Sequence, residues 1–326
     1  MEYKPQPDRY TNGMLYRRCG DSGIQLPVIS LGFWHNFGNT DCYATGLELV
    51  EYAFDHGVCH FDLANNYGPP AGSAEENFGR MMKQSFAAHR DEMFITSKAG
   101  HEMWPGPYGG CSSRKNLMAS IDQSLKRMNL DYVDLFYSHR YDGITPIDET
   151  MQALVDIVRQ GKALYIGLSK YPVDKLLYAL NYLHEAGVPC LAYQDRYNMF
   201  DRHIEKEHLQ ICMEKGIGVV AFSPLAQGIL SSKYLNGIRA ARPEGYLKQS
   251  DVTPDTIAKV ARLRPIAEQR GQSISQLAIA WILRRKEIGS VIIGARNLDQ
   301  LKDSLHAVDN LSLSPSEIEL IENILK

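Results

Sequence analysis

The stretch HFDLANNYGPP, residues 60–70, joins the end of a predicted buried strand to a loop. The apolar run 58–63 predicts the strand, and the turn formers over 65–70 predict the loop. Asp62 then lies at the end of the strand, and Tyr67 lies on the loop five residues later. Taken alone, the stretch is better explained by an acid that caps a turn and a tyrosine that packs on the surface. The rest of the chain changes this interpretation.

A strand followed by a helix is the repeating unit of the chain. The predicted strands cover residues 28–33, 58–63, 93–98, 133–139, 163–169, 190–194, 218–223 and 290–294. Apolar residues at helical spacing lie between them, and the predicted helices include 42–56, 73–82, 117–128, 146–160, 173–185, 254–270, 274–286 and one that begins at Leu298. Strict alternation of strand and helix implies a parallel sheet, and eight units imply a closed (β/α)8 barrel, or TIM barrel.

Further elements precede the eight units. Residues 1–13 are predicted to form an irregular tail. The runs 14–19 and 24–27 flank the turn GDSG, which is typical of a β-hairpin. No change of composition marks a linker, so we expect a single barrel domain over residues 1–326, folded from about residue 14 onward.

Two helix starts carry recognisable signals. Ser73 and Glu76 fit a capping box, with the serine at the N-cap and the acid three residues later. The segment SPSE, residues 314–317, predicts the start of a last helix over about 314–325. Together with the helix 254–270, this one makes the predicted barrel richer in helices at its carboxyl-terminal end.

Two other folds lack their signatures. A doubly wound sheet in two domains predicts Gly-x-Gly-x-x-Gly between a strand and a helix. The loosely similar GIGVVA, residues 216–221, enters a strand rather than leaving one. The P-loop pattern Gly-x-x-x-x-Gly-Lys-Ser/Thr does not occur, so a P-loop nucleotidase is excluded.

The composition excludes several classes of partner. The chain carries 35 Lys and Arg against 38 Asp and Glu, a net charge of −3, so we expect neither nucleic acid nor an anionic membrane as a partner. The longest apolar run, 277–283, is far shorter than the roughly 20 residues that span a bilayer. Six cysteines without a Cys-x-x-Cys pair indicate neither a zinc site nor a disulfide framework. With a polar amino terminus unlike a signal peptide, the sequence predicts a cytoplasmic protein without a metal.

Chemistry in such barrels takes place at the carboxyl ends of the strands. The polar or aromatic residues predicted there are Trp34, Asp62, Lys98, His139, Ser169, Gln194, Phe222, Ser223 and Gly294. Each has an ordinary explanation by itself, since a lone histidine is more often a satisfied core residue. The set as a whole brings a carboxylate, a phenol, an amine and an imidazole to one end of the barrel.

These four groups suit the donation of a proton to a carbonyl oxygen. A free tyrosine has a pKa near 10, which an adjacent ammonium group lowers. We therefore expect Lys98 to lower the pKa of Tyr67, with Asp62 holding the charge on the buried lysine. His139 can bind the substrate oxygen and orient it while another group attacks the carbon. No metal is required.

The sequence resembles the aldo-keto reductases over about residues 14–325. The motifs that carry the resemblance are FDLANNYG at 61–68, SK at 97–98, YSH at 137–139, GLS at 167–169, FSPLAQG at 222–228 and IGAR at 293–296. Within the family it is most similar to the branch with bacterial L-glyceraldehyde 3-phosphate reductases and potassium-channel β-subunits. LANNYGPP at 63–70 and MWPGPYG at 103–109 resemble the bacterial reductases.

The resemblance implies a catalytic tetrad, a cofactor and a cofactor site. Tyr67 would be the proton donor, with Asp62, Lys98 and His139 as the other members, and NADPH would supply the hydride. Ser169 and Gln194 would hold the nicotinamide carboxamide, and Phe222 would stack on the ring. The other implied cofactor residues are Trp34, then Ser223, Leu225, Gln227, Gly228 and Lys233 at the pyrophosphate, and Gly294, Arg296, Gln300, Asp303 and Ser304 at the adenosine.

Two departures from the family pattern affect the cofactor residues. Relatives often carry Glu-Asn where this chain has Asp303 and Ser304. Ser169 is followed by Lys170 rather than by the commoner small polar residue, which is expected to alter the cofactor cleft.

The predicted substrate is a small aldehyde. Trp34, Trp104 and Tyr108 would form the wall of a pocket for a short chain, although Trp104 is as well explained by packing of its own loop. Arg140, Lys233, Arg239 and Arg242 are the cations near this end of the barrel, and we expect at most one to bind a substrate phosphate. L-glyceraldehyde 3-phosphate and methylglyoxal both fit.

Two other functions remain open. One is an NADP(H)-binding regulatory subunit resembling the channel β-subunits, in which we expect Asn instead of His139. The other is a barrel isomerase or aldolase with Lys98 as a Schiff base, which would not explain Tyr67. The resemblance further implies a homo-oligomer, either a tetramer or an octamer.

Overall fold

Eight parallel strands close into a barrel in the computed structural model, which describes residues 3–235, 247 and 252–326. The barrel strands are β3 (Ile29–Gly32), β4 (His60–Asp62), β5 (Phe94–Ala99), β6 (Val133–Ser138), β7 (Ala163–Ser169), β8 (Cys190–Arg196), β9 (Gly218–Phe222) and β10 (Ile288–Ile293). Each pairs with the next along the chain, and β10 closes the ring against β3. The predicted TIM barrel is confirmed.

A β-hairpin covers the amino ends of the strands. Its strands β1 (Tyr16–Arg18) and β2 (Gln25–Pro27) pair in antiparallel register, which confirms the predicted hairpin. The turn lies so close to β9 that a side-chain carbon added at Gly218 would stand 2.2 Å from Cys19 Sγ. Glycine is therefore required at this contact.

Helices surround the barrel. They are α1 (Tyr43–Asp55), α2 (Ser73–Met81), α3 (Arg114–Met128), α4 (Ile147–Arg159), α5 (Val173–Glu185), α6 (His208–Glu214), α7 (Pro254–Gln269), α8 (Ile274–Leu283), α9 (Leu298–Leu305) and α10 (Pro315–Leu325). Their apolar faces and the outer faces of the strands form the main core, in which Trp281 is fully buried. No helix in the described ranges is long and apolar enough to cross a membrane.

The two predicted helix starts differ in outcome. Ser314 caps α10, since its Oγ accepts from the N–H of Glu317, whose carboxylate accepts from the N–H of Ser314. Ser73 instead lies inside α2, and the N-cap is Gly72 with φ 91°. Ser73 Oγ donates to the carbonyl oxygen of Pro70 at 2.6 Å, so it does not cap the helix. The predicted capping box at Ser73 is wrong.

The sequence analysis did not predict the segments that follow α2, and it placed the end of α8 too late. After α2 the chain continues as one π-helical turn, Met82–Phe86, and a 3₁₀ segment, Ala87–Glu92. α8 ends at Leu283, three residues earlier than predicted. From Tyr3 onward the amino-terminal tail is irregular, as predicted, and Tyr3 anchors it by donating from its hydroxyl to Asp55 Oδ1 at 2.8 Å.

Candidate active site

Asp62 and Lys98 form an ion pair inside the barrel at the ends of two neighbouring strands. Asp62 is the last residue of β4, and Lys98 lies one residue before the end of β5. Lys98 Nζ lies 2.6 Å from Asp62 Oδ2 and also donates to the carbonyl oxygen of Leu63 at 2.7 Å. The Lys98 side chain is fully buried, and 3% of the Asp62 side chain is exposed. A buried ammonium group requires such a partner for its charge.

Tyr67 and His139 approach this pair from two further segments. Lys98 Nζ donates to the phenol oxygen of Tyr67 over 3.4 Å. His139 follows β6 directly, and its backbone N–H donates to the carbonyl oxygen of Ala99 at 2.9 Å. The ring centroids of Tyr67 and His139 lie 6.0 Å apart. The structure thus brings the four predicted side chains together.

Two additional donors hold the Asp62 carboxylate. Thr96 Oγ1 donates to Asp62 Oδ1 at 2.7 Å, and Gln194 Nε2 donates to the same oxygen at 3.0 Å. The sequence analysis did not identify Thr96 or its neighbour His60. Both could have been found from strand periodicity, since each precedes Lys98 or Asp62 by two residues and therefore shares its face of the strand.

Hydrogen bonds continue from this carboxylate through the barrel interior. His60 Nε2 lies 3.5 Å from Thr96 Oγ1, and His60 Nδ1 lies 2.7 Å from Ser30 Oγ. Ser30 Oγ lies 2.5 Å from Ser290 Oγ, which donates to the carbonyl oxygen of Pro27 at 2.6 Å. Burial lowers the pKa of His60 to about 4, so the imidazole is neutral at pH 7 and carries one N–H, which donates either to Thr96 Oγ1 or to Ser30 Oγ.

Ser169 and Gln194 lie opposite each other on β7 and β8. Ser169 Oγ is buried and has no hydrogen-bond partner within the described residues. The side-chain amide of Gln194 already donates a hydrogen bond to Asp62. An unpartnered buried hydroxyl is unfavourable unless a ligand completes its hydrogen bonding.

The loop after β9 has an unusual backbone. Ser223, Ala226, Gln227 and Gly228 have φ values of 56°, 46°, 57° and 92°. Left-handed residues next to right-handed ones turn successive N–H groups toward one side, which creates concavities that bind anions. Phe222, the last residue of β9, is half-buried and packs against the apolar side chains inside the barrel, which include Val220 and Ile292.

The start of α9 is open to solvent. Gly294 is exposed, and a side-chain carbon added to it would have no atom of the described residues within 4 Å. Asn297 is the N-cap, which the sequence analysis missed, and its Oδ1 accepts from the N–H of Gln300 at 3.0 Å. Gln300 Oε1 in turn accepts from the N–H of Arg296 at 3.1 Å, while the Arg296 side chain is exposed. Gln300 therefore has a structural role, which the sequence analysis did not predict.

A cleft of about 510 Å³ lies beside α9. Asp303, Ser273, Ser232 and Leu235 are among its lining residues. Asp303 accepts from Ser273 Oγ at 3.1 Å, so its carboxylate is already partly satisfied. The adjacent Ser304 is buried, with 3% exposure. Of Asp303 and Ser304, only Asp303 lines the cleft.

The predicted substrate aromatics have different environments. Trp34 and Trp104 are both half-buried, and the Trp34 ring lies 4.2 Å from that of His35. Tyr108 is 53% exposed, with Lys115 Nζ 5.2 Å from its ring centroid. Tyr108 thus faces solvent.

The cations predicted near the substrate also differ from one another in their contacts. Arg140 Nε and Nη2 donate to the carbonyl oxygens of Gly100 at 3.1 Å and Gly110 at 3.3 Å. Lys233 is exposed, and its Nζ lies 4.9 Å from the ring centroid of Tyr234. Arg239 and Arg242 lie outside the described residues.

The described part of the chain contains no cluster of three or more His, Cys, Asp or Glu that could hold a metal ion.

The sequence matches a known protein family over most of its length. The model of the aldo/keto reductase family matches residues 28–326. The chain belongs to the aldo/keto reductase family. It is an oxidoreductase, and its barrel and hairpin are those expected from the resemblance.

Curated relatives of this aldo/keto reductase match along nearly its whole length. It is 46% identical to the L-glyceraldehyde 3-phosphate reductases of Escherichia coli O157:H7 and K12, over 99% of this chain and 95% of each relative. It is 34% identical to a probable voltage-gated potassium channel subunit beta of Arabidopsis thaliana, over 96% of this chain and 97% of the relative.

Burial governs the electrostatics of the four clustered side chains in this reductase. It raises the pKa of the Tyr67 phenol well above its usual 10, and the Asp62 carboxylate acts in the same direction. The net pKa of Tyr67 is therefore raised and not lowered, contrary to what we expected from the adjacent Lys98, because desolvation of the phenolate dominates. Burial likewise lowers the pKa of Lys98, which Asp62 opposes. The phenol is therefore protonated at neutral pH.

His139 is neutral at pH 7. Burial lowers its pKa well below 6.5, and the nearby charges of Lys98 and Lys170 lower it further. Its Nδ1 has no partner within the described residues. A neutral imidazole carries one N–H donor, which suits binding of an uncharged carbonyl oxygen.

Proposed function

We propose that this protein reduces a small aldehyde to an alcohol with NADPH, and that Tyr67 donates the proton. The observation that carries the proposal is the contact of Lys98 Nζ with both Asp62, at 2.6 Å, and the Tyr67 phenol, at 3.4 Å. A protonated phenol beside a buried cation is suited to general acid catalysis, because the cation stabilises the phenolate that remains.

Each group then has a definite part in the reaction. The neutral His139 donates a hydrogen bond to the carbonyl oxygen and orients it. Tyr67 transfers its proton to that oxygen as the oxygen gains negative charge. Lys98 stabilises the resulting phenolate, and Asp62 holds the ammonium group in place. Thr96 fixes the Asp62 carboxylate through the 2.7 Å hydrogen bond.

The residues present fit a nicotinamide cofactor. Ser169 Oγ is a buried hydroxyl without a partner in the described part of the chain, and a carboxamide would satisfy it. Phe222 offers a half-buried ring, and the loop over 223–228 offers a concavity suited to phosphate. NADPH, when bound, supplies the hydride that is added to the carbonyl carbon.

The adenosine end would lie at the start of α9. The free N–H groups and the dipole of a helix N-terminus attract phosphate. Gly294 leaves open space there, and the exposed Arg296 guanidinium could pair with a 2′-phosphate. The Arg296 guanidinium supports NADPH rather than NADH, because only NADPH carries this phosphate. Gln227, Leu225 and the other predicted residues of the cofactor site remain part of this proposal.

We propose a short aldehyde that carries a phosphate as the substrate. The relatives from Escherichia coli are L-glyceraldehyde 3-phosphate reductases, which supports that compound. Binding energy from the phosphate would help to position the carbonyl group. Methylglyoxal is the alternative if the phosphate gives no advantage.

A second candidate is an NADP(H)-binding regulatory subunit, which the identity to probable channel β-subunits supports. His139 favours the enzyme, because we expect Asn at this position in regulatory proteins. We also propose that the protein works in the cytoplasm as a homo-oligomer of four or eight chains.

The proposal is tested by NADPH consumption over a panel of short aldehydes, with and without a phosphate group. Turnover of at least one aldehyde, with the alcohol identified as the product, is expected. Binding of NADPH without turnover of any aldehyde would favour the regulatory subunit. Inactivation by borohydride only in the presence of a carbonyl compound would instead indicate a Schiff base on Lys98.

A further inference from the structure

Lys170 and His101 meet beside the four clustered side chains, although 69 residues separate them. Lys170 follows β7 directly and has the left-handed φ of 55°. Its Nζ lies 3.2 Å from His101 Nε2. The His101 ring packs edge to face on the His139 ring, with centroids 4.4 Å apart. The His101 ring therefore lies between the Lys170 amine and the His139 ring.

Among the residues that the structure describes, this amine has no carboxylate partner. Within the described residues Lys170 forms no ion pair at 4.0 Å or less. Asp195 is the acid whose charge raises the pKa of Lys170. Its carboxylate already accepts from the hydroxyl of Tyr193 at 2.5 Å and lies 3.4 Å from His203 Nε2. Partly buried cations normally have a counter-charge, so a cation without one at the barrel end is suited to bind an anion.

The protonation states agree with such a role. Burial lowers the pKa of Lys170 to about 8, with Lys98 acting in the same direction and Asp195 opposing it. Lys170 is thus mainly charged at pH 7. Burial and the charge of Lys170 lower the pKa of His101 to about 4, so His101 is neutral. The ammonium group can donate one N–H to His101 Nε2, and its two other N–H groups remain for a ligand.

We propose that Lys170, positioned by His101, binds the phosphate group of the aldehyde substrate. This inference rests on the proposed reductase function and names the specificity-determining residue. The left-handed backbone at Lys170 is uncommon for a residue with a side chain, and such conformations are concentrated at functional sites. Arg140, one of the four cations that the sequence analysis considered, is less available because two carbonyl oxygens already accept from its guanidinium group.

The test compares the ratio of kcat/KM for glyceraldehyde 3-phosphate to kcat/KM for glyceraldehyde among variants. Lys170→Met removes the charge at similar length and leaves the backbone requirement unchanged. It should lower the ratio at least about tenfold, as expected for a charge-assisted hydrogen bond. Lys170→Arg keeps the charge and should retain part of the preference. His101→Phe keeps the ring packing on His139 and should give an intermediate ratio.

Lys162→Met is the matched control. It removes one positive charge at the opposite, amino end of β7, where Lys162 Nζ lies 2.6 Å from Asp122 Oδ1. Its ratio should equal that of the unaltered protein. A similar loss in Lys162→Met would show a general effect of net charge and would overturn the inference.

A binding measurement without turnover separates this inference from the proposed function. Calorimetric titration with glycerol 3-phosphate and with glycerol, in the presence of NADPH, should show a preference for the phosphate that Lys170→Met loses. No preference in the unaltered protein, or one that survives in Lys170→Met, overturns the inference whether or not an aldehyde is reduced. A weaker affinity for NADPH in Lys170→Met, with both substrates affected equally, would assign Lys170 to the cofactor site instead.

Discussion

Lys98 Nζ lies 2.6 Å from Asp62 Oδ2 in a place where neither side chain is exposed by more than 3%. Each charge is removed from water, and the attraction within the pair offsets the desolvation of both. Removing one partner leaves the other buried and uncompensated. The stability of the barrel and the chemistry at its end therefore depend on the same contact.

The first prediction concerns the free energy of unfolding. Lys98→Met and Asp62→Leu should each reduce it by about 3–5 kcal/mol, because each leaves a buried group without its partner. The double variant should lose less than the sum of the two losses, since no charge then remains. Chemical denaturation of the three variants measures this, and additive losses would contradict it.

The second prediction concerns Tyr67. Tyr67→Phe removes the proton donor and should lower kcat by about 10²–10⁴-fold. The affinity for NADPH, measured by fluorescence titration, should stay unchanged. Tyr178→Phe is the control, since this tyrosine is 48% exposed and donates to Asp148 on the outer surface. Near-normal turnover in Tyr67→Phe would exclude Tyr67 as the donor.

The third prediction concerns cofactor choice. Arg296→Ala should weaken NADPH binding by about 1.5–3 kcal/mol, as expected for loss of a charged hydrogen bond, and should affect NADH much less. Dissociation constants for both cofactors check this. Arg18→Ala is a matched control at the hairpin, where the guanidinium donates to Asp21 O at 2.7 Å. Equal losses for both cofactors would show that Arg296 does not contact the 2′-phosphate.

The fourth prediction concerns pH. Hydrogen bonds to Asp195 and Asp201 raise the pKa of His203 from 6.5 to about 10. A pKa raised in the folded state contributes stability that is complete below pH 6.5 and is lost as the pH rises through about 10. The His203 side chain is 45% exposed, so the screened contribution should be about 1 kcal/mol or less.

The measurement is urea denaturation at pH 6 and pH 10. His203→Gln should be less stable than the unaltered protein at pH 6, and the difference should shrink at pH 10. His306→Gln is the control, since its side chain is 65% exposed. A difference that stays constant with pH would show that the charge on His203 does not contribute.

The sequence predicted the barrel and the clustered side chains for the same physical reason. Asp62, Lys98 and His139 each come at the end of an apolar run, and a closed parallel barrel brings all strand ends to one side. Tyr67 follows one of these ends by five residues on a short loop. Topology alone therefore sufficed to place them near each other.

Other features depend on loop geometry and burial, which a local pattern does not contain. The contact between Lys170 and His101 joins the loops after β5 and β7. The rise in the pKa of Tyr67 follows from desolvation, which only the folded chain determines. Ser73 matches a capping pattern, yet the left-handed turn at Gly72 directs its hydroxyl to Pro70 instead.

The hydrogen-bonded line through Ser290, Ser30, His60 and Thr96 has a consequence for the order in which the barrel opens. Ser290 and Ser30 lie on β10 and β3, the last and first barrel strands, which are joined only by pairing and not by a connecting helix. Opening this seam would separate Ser30 from Ser290 and admit water to the barrel interior beside Asp62 while the central strands are still paired. Loss of activity on mild denaturation should therefore accompany amide exchange at β3 and β10, ahead of exchange at β6 and β7.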